Sequence, residues 1–199
     1  MSHIPILTPA YNVLYNRMLP AIFRAAVRNN CPRIAAVLFR LTIRKFRGSP
    51  RSRQPQYVVC VLRKAIFDDD MLAVFEHAEH VALYSMSRRM LKYIAEQFLP
   101  EHLTDLRYGS QTAEDDLKKQ AYRAFLINML RALSKFFRFD VVLTGNFSYH
   151  AEQEFAGALE QIGTPVSALH KESLRPTYLA ELYAENYRTH RAPFQGRAI

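Results

Sequence analysis

The chain has 199 residues, of which 49% are apolar and 23% charged, a balance that excludes a disordered, collagen-like or low-complexity polypeptide and is sufficient for one domain with a substantial core. Its formal net charge of +9 points to an anionic partner. The charge is segregated: residues 1–67 hold twelve Lys and Arg and no acid, whereas residues 68–199 hold fifteen basic and eighteen acidic side chains. The two cysteines, Cys31 and Cys60, are too few for a disulfide framework and read as buried thiols in apolar surroundings. There is no Cys-x-x-Cys pair for a structural zinc, no basic-then-apolar leader, and no run of about 20 apolar residues that would cross a bilayer. Together these predict a cytoplasmic protein.

Residues 10–47 read as two helices. In the first, Tyr11, Leu14, Tyr15, Met18, Ile22 and Ala25 recur at helical spacing, Pro20 marks a kink, and Arg17, Arg24 and Arg28 take another face. The second starts at Pro32; Ile34, Val37, Leu38 and Leu41 form its apolar stripe, with Arg33, Arg40, Arg44 and Arg47 opposite. Residues 48–55, GSPRSRQP, read as a linker. The first unit is therefore residues 1–55, a basic amphipathic extension.

From residue 56 the pattern alternates between strands and helices. YVVCVL at 57–62 is a β-branched run suited to a strand buried on both faces, and VALYS at 81–85 is a second. Helices are expected over 70–77 and 88–98, the latter ended by Pro100. Thr112 caps a long helix with Asp115 as capping-box partner; Leu117, Ala121, Phe125, Met129, Ala132 and Phe136 hold one face of it. VVLT at 141–144 is a strand, followed by a turn and a helix to Ile162 that Gly163 and Pro165 terminate. VSAL at 166–169 and a helix over 177–188 follow. The predicted fold is α/β: a doubly wound, mostly parallel sheet over 56–199 behind the basic extension. The last residues, 194–199, read as a turn and the first residue of another strand, which predicts continuation into a longer protein.

Open parallel sheets bind ligands beyond the carboxyl ends of their strands. That rule selects Gly145, Asn146, Ser148, Tyr149 and His150 after one strand, and His170, Lys171 and Glu172 after the next. A lysine there can hold a phosphate or carboxylate, a histidine can move a proton near neutral pH, and a glutamate can orient either. The same three side chains also suit an exposed turn with a local ion pair, and Asn146 or Ser148 also suits a helix cap. Asp68-Asp69-Asp70 fits a helix start better than a metal site, and the His77/His80 pair has no third ligand, so no metal is expected. Glycine-rich dinucleotide and phosphate-loop signatures are absent from the sequence.

Residues 140–172, DVVLTGNFSYHAEQEFAGALEQIGTPVSALHKE, resemble the N-terminal half of bacterial surface-carbohydrate (capsule-type) biosynthesis proteins, which look like two-domain glycosyltransferases of the GT-B type. SMSRRMLKYIAEQFLP at 85–100 and NYRTHRAPFQGRAI at 186–199 extend the resemblance, whose most specific parts are GNFSY, HKES and RAPFQGR. The resemblance implies an acceptor-side Rossmann-like domain, incomplete for catalysis without a second Rossmann domain. It further implies transfer of sugar from a nucleotide-activated donor to a glycan or lipid-linked glycan, with no tightly bound cofactor. Asn146, Tyr149, His150, His170, Lys171 and Glu172 would line the cleft, with His170 as base and Lys171 as anion partner. The basic helices, through Arg17, Arg24, Arg28, Arg33, Arg40, Arg44, Lys45 and Arg47, would then dock peripherally on the anionic inner face of the cytoplasmic membrane. Two alternatives stand beside this: a nucleic-acid-binding module, disfavoured by the lack of stacking aromatics among the basic residues, and a non-catalytic Rossmann scaffold.

Overall fold

The computed structural model describes residues 14–46, 55–62, 75, 78, 80–101, 103, 112–144 and 150–168. The alternating β-branched run YVVCVL forms β2 (Tyr57–Leu62), whose five residues from Val58 onward are all buried. Both of its faces are therefore covered, as a central strand of a parallel sheet requires. Around it lie β1 (Arg44–Lys45), β3 (Val81–Met86), β4 (Val141–Thr144) and β5 (Val166–Ala168). The spatial order is β1-β3-β2-β4-β5; β1 pairs antiparallel with β3 and every other pairing is parallel. Five α-helices are described: α1 (Leu19–Arg28), α2 (Pro32–Arg40), α3 (Arg88–Phe98), α4 (Ala113–Ser134) and α5 (His150–Gln161). The protein is thus α/β with a mostly parallel five-stranded sheet, compatible with a Rossmann-like fold.

The pleat divides the core. Val58, Cys60, Leu62, Met86 and Val142 point to one side and share a single cluster with buried residues of all five helices. Val59, Val61, Leu83 and Leu143 point to the other side and pack with Phe46 and Phe75. Handedness explains the second location. The chain passes from β2 to β3 in one direction across the sheet and from β3 to β4 to β5 in the other, so right-handed crossovers put the first connection on the opposite face from α3, α4 and α5. Phe75, a helical residue of that first connection, packs there.

The N-terminal helices are not an appendage. Leu19, Phe23 and Val27 of α1 and Ala35, Ala36 and Phe39 of α2 belong to the main core cluster. Helix α2 packs against α4, α1 packs against α2 and α3, and β1 then joins the edge of the sheet. Described residues on both sides of position 55 thus share one core. Pro20 also has a different role from a kink. It occupies the first turn of α1, after a π-helical turn over Leu14–Met18, where its missing N–H costs nothing. Asn30 adopts a left-handed conformation (φ 50°) that ends α1, and Pro32 opens α2 as expected.

The phases of two helices differ from the sequence expectation. In α2 the core receives Ala35, Ala36 and Phe39, while Ile34, Val37 and Leu41 of the apolar stripe are exposed and Leu38 is half-buried. Small alanines let α2 approach α4 closely, which the branched stripe would prevent. In α4 the buried face is Asp115, Lys119, Tyr122, Phe125, Leu126, Met129, Leu130 and Leu133; Leu117 and Phe136 are exposed. Of the face read from the sequence, Phe125 and Met129 are buried and Ala132 half-buried, while Ala121 is exposed like Leu117 and Phe136.

The other expectations on described residues agree. Strands β2, β3, β4 and β5 and helices α3 and α5 occur where the patterns put them. Thr112 and Asp115 form a reciprocal capping box: the Thr112 N–H donates to Asp115 Oδ2 at 3.0 Å and the Asp115 N–H to Thr112 Oγ1 at 3.1 Å. Gly163, at φ 82°, ends α5 in the left-handed conformation that glycine favours. The expected linker at 48–55 and the helices at 70–77 and 177–188 lie outside the described residues, apart from Pro55 and Phe75.

Candidate functional site

The parallel strands β3-β2-β4-β5 leave β2 toward opposite sides, so the order reverses between β2 and β4. The crevice that such a reversal opens lies beyond the carboxyl ends of these strands, at Leu62 and Thr144. The opposite end of the sheet is closed by Asp140. Its carboxylate accepts from the Val58 N–H at 2.7 Å and from Arg138 Nε at 2.9 Å, while Arg138 Nη2 donates to the Gln56 carbonyl at 2.8 Å. The amino ends of β2 and β4 are thereby pinned together.

Two helices start at that end. Ser87 follows β3 directly and caps α3, its hydroxyl accepting from the Met90 N–H at 3.4 Å. Arg88, the first residue of α3, reaches across to α5, donating from Nε (2.9 Å) and Nη2 (2.7 Å) to Glu152 Oε1. Glu152 is buried in the first turn of α5, where the helix dipole favours an anion. The pair stitches together the N-terminal ends of two helices that follow β3 and β4, the strands on either side of β2.

His150 opens α5 and is only 7% exposed. Its Nε2 is buried and has no hydrogen-bond partner among the described residues. Burial, followed by the positive charge of Lys119, lowers its pKa; Glu154, a hydrogen bond with Gln153 and Asp115 oppose the shift. A depressed pKa keeps the imidazole neutral at pH 7, so one ring nitrogen can accept and the other can donate.

Helix α4 supplies the remaining wall. Asp115, Lys119 and Arg123 follow one another at four-residue spacing on its α5-facing side. Asp115 and Lys119 are buried, and Arg123 Nε donates to Glu154 Oε2, whose side chain is 10% exposed. Tyr122 donates its hydroxyl to the Ala151 carbonyl at 3.3 Å, and burial together with Glu152 and Glu154 pushes its phenol well above the usual range. The result is a buried polar seam, Asp115-Lys119-Arg123 against His150-Glu152-Glu154, with Arg88 at its edge.

Of the expected cleft residues, only His150 is described. Gly145, Asn146, Ser148 and Tyr149, and the group His170, Lys171 and Glu172, lie outside the described residues. The seam was missed because charged residues read as solvated. The available signal was the four-residue spacing of Asp115, Lys119 and Arg123, which puts polar groups on the side of α4 that also carries Tyr122 and Leu126.

The basic residues distribute differently from a free extension. Arg17, Arg24, Arg28 and Arg33 are exposed on the first two helices and the turn before them. The Arg24 guanidinium nevertheless lies 3.9 Å over the Tyr93 ring, and that of Arg40 lies 4.5 Å over Phe137, so these two arginines attach the helices to the domain. Arg44 and Lys45 are exposed on β1, and Arg47 lies outside the described residues. Cys60 sits in the middle of β2, where burial pushes its thiol up to about 12, and it remains protonated; Cys31 is half-buried. Among the described residues, no three His, Cys, Asp or Glu side chains are grouped to hold a metal, and no helix is long and apolar enough to cross a membrane.

No protein-family model, no curated protein and no solved structure matches the chain.

Proposed function

We propose that the chain is the acceptor-side, N-terminal domain of a GT-B-type glycosyltransferase of surface-polysaccharide biosynthesis. With a second Rossmann domain it would transfer a sugar from a nucleotide-activated donor to a glycan or lipid-linked glycan. The observation that carries the reading is His150: a neutral imidazole with an unsatisfied Nε2, at the carboxyl end of a parallel sheet beside its topological reversal. A sugar hydroxyl can both donate and accept, so it is suited to such a group. The motifs GNFSY and HKES, which flank α5 and β5 in the chain, support the same class. In this reading His170 removes the acceptor proton and Lys171 stabilises the anion, while a nucleotide-sugar serves as co-substrate and no resident cofactor takes part.

The test is binding of the chain to an array of bacterial surface glycans, with His150→Gln and His170→Ala as variants checked by circular dichroism. The expected result is a defined set of bound glycans, with each substitution lowering affinity by roughly tenfold or more, the scale of one lost buried hydrogen bond. Binding of no glycan by folded wild-type protein, or unchanged binding by both variants, overturns the proposal.

A further inference from the structure

We propose that the outer face of α1 and α2 docks on an anionic lipid bilayer, with Ile34, Val37 and Leu41 entering the interface and the neighbouring arginines holding the headgroups. This inference stands apart from the glycosyltransferase reading and does not depend on it.

The apolar stripe that the sequence puts on α2 is not the face that packs. The structure gives the core a different set, Ala35, Ala36 and Phe39, and leaves Ile34, Val37 and Leu41 each more than half exposed. At roughly 100° per residue, these three fall within roughly a 60° arc on the side of α2 opposite the buried set. Met18 and Ile22, four residues apart at the start of α1, are exposed as well. Eight large apolar side chains are exposed among the described residues, and five of them lie on this helical pair or at its capping residues Met18 and Leu41. A single exposed leucine needs no explanation, but a concentration of them on adjacent short helices does.

Charge decides which partner fits. Residues 14–46 carry Arg17, Arg24, Arg28, Arg33, Arg40, Arg44 and Lys45 and no acid. A polyanionic surface is therefore complementary, and a neutral or basic protein surface is not. Between polyanions, a nucleic-acid backbone offers phosphates but nothing for Ile34, Val37 and Leu41 to enter. An anionic bilayer offers both the charge and an apolar layer beneath it. Arg24 and Arg40, stacked on Tyr93 and Phe137, fix the helices to the domain, so docking would place the whole α/β unit at the surface. The stripe is too short to cross, so the expected association is peripheral.

The experiment is co-sedimentation of the full chain with phosphatidylcholine vesicles, with and without about 30 mol% phosphatidylglycerol. Binding is expected only to the anionic vesicles and should weaken about tenfold or more as salt rises from about 0.1 to about 0.5 M. The triple variant Ile34→Gln/Val37→Gln/Leu41→Gln changes only exposed positions and should keep the wild-type circular dichroism while binding about 100-fold less. Arg33→Gln should cost about fivefold. Equal binding to neutral vesicles, or an unchanged partition for the triple variant, overturns the proposal. So does a wild-type dimer that the triple variant dissociates without any vesicle binding, which would assign the face to a second copy. Retention of single- or double-stranded oligonucleotides by both proteins, without vesicle binding, would assign it to nucleic acid.

Discussion

Phe39→Ala tests whether residues 14–46 are part of the domain or an attachment to it. The Phe39 ring is fully buried, belongs to the cluster that contains Cys60 and Val142 of the sheet, and lies 6.4 Å from the Phe23 ring. A phenylalanine buries about 150–250 Å², most of which disappears with truncation to alanine, so at about 25 cal/mol per Å² the transfer loss is about 3–5 kcal/mol. Ala35 and Ala36 beside it on α2 are too small to fill the void, so the upper part of the range applies, at about 4 kcal/mol. With a urea slope of about 2 kcal/mol per molar, the midpoint should fall by about 2 M. The chain contains no tryptophan, so the assay is far-ultraviolet circular dichroism combined with amide exchange of β2 and β4. One cooperative transition is expected, with exchange in the sheet accelerated by the same free energy. Ile34→Ala, on the opposite face of the same helix, should stay within about 0.5 kcal/mol of wild type. A loss under about 1 kcal/mol for Phe39→Ala, or a helical signal that melts before sheet protection is lost, would refute the reasoning.

Three further outcomes follow from the polar seam and the end of α5. Glu154→Ala should destabilise by about 2 kcal/mol, between the values for exposed and fully buried pairs because Glu154 is 10% and Arg123 41% exposed; a double-mutant cycle with Arg123→Ala should return about half of that as coupling. His150 has a lowered folded-state pKa, so in acid the unfolded chain binds more protons: its contribution is complete above about pH 6.5 and is lost as pH falls below that value. Thermal melts should therefore show a steeper decline toward pH 5 for wild type than for His150→Gln, with Lys119, Asp115 and Glu154 present in both; parallel profiles would contradict the neutral imidazole. Gly163→Ala meets no atoms within 4 Å but forces a side chain into φ 82°, and chemical denaturation should register a loss of about 1 kcal/mol.

The strands were legible because β-branched runs such as YVVCVL carry their own instruction, and the caps were legible because Thr112, Asp115 and Gly163 act on neighbouring backbone groups. Helix orientation was less so. In α2 two faces are apolar, and only the close approach to α4 selects Ala35, Ala36 and Phe39 over Ile34, Val37 and Leu41, a decision made by another part of the chain. The same holds for α4, where Asp115 and Lys119 are buried on the side against which α5 packs. At the candidate site, the strand-end rule selects the position of His150, which opens α5. Its neutral state and unpaired nitrogen come from burial beside Lys119, which local pattern does not encode.

Strand β1 has a consequence for solubility. It is only two residues long, runs against the direction of its neighbour β3, and consists of Arg44 and Lys45, both exposed. An outermost strand with open peptide groups is a template on which a foreign strand can add, and long, flat, apolar edges invite it. Here that margin is short, and an incoming chain would meet two cations. Arg44 and Lys45 thus also discourage strand addition at this edge of the described sheet.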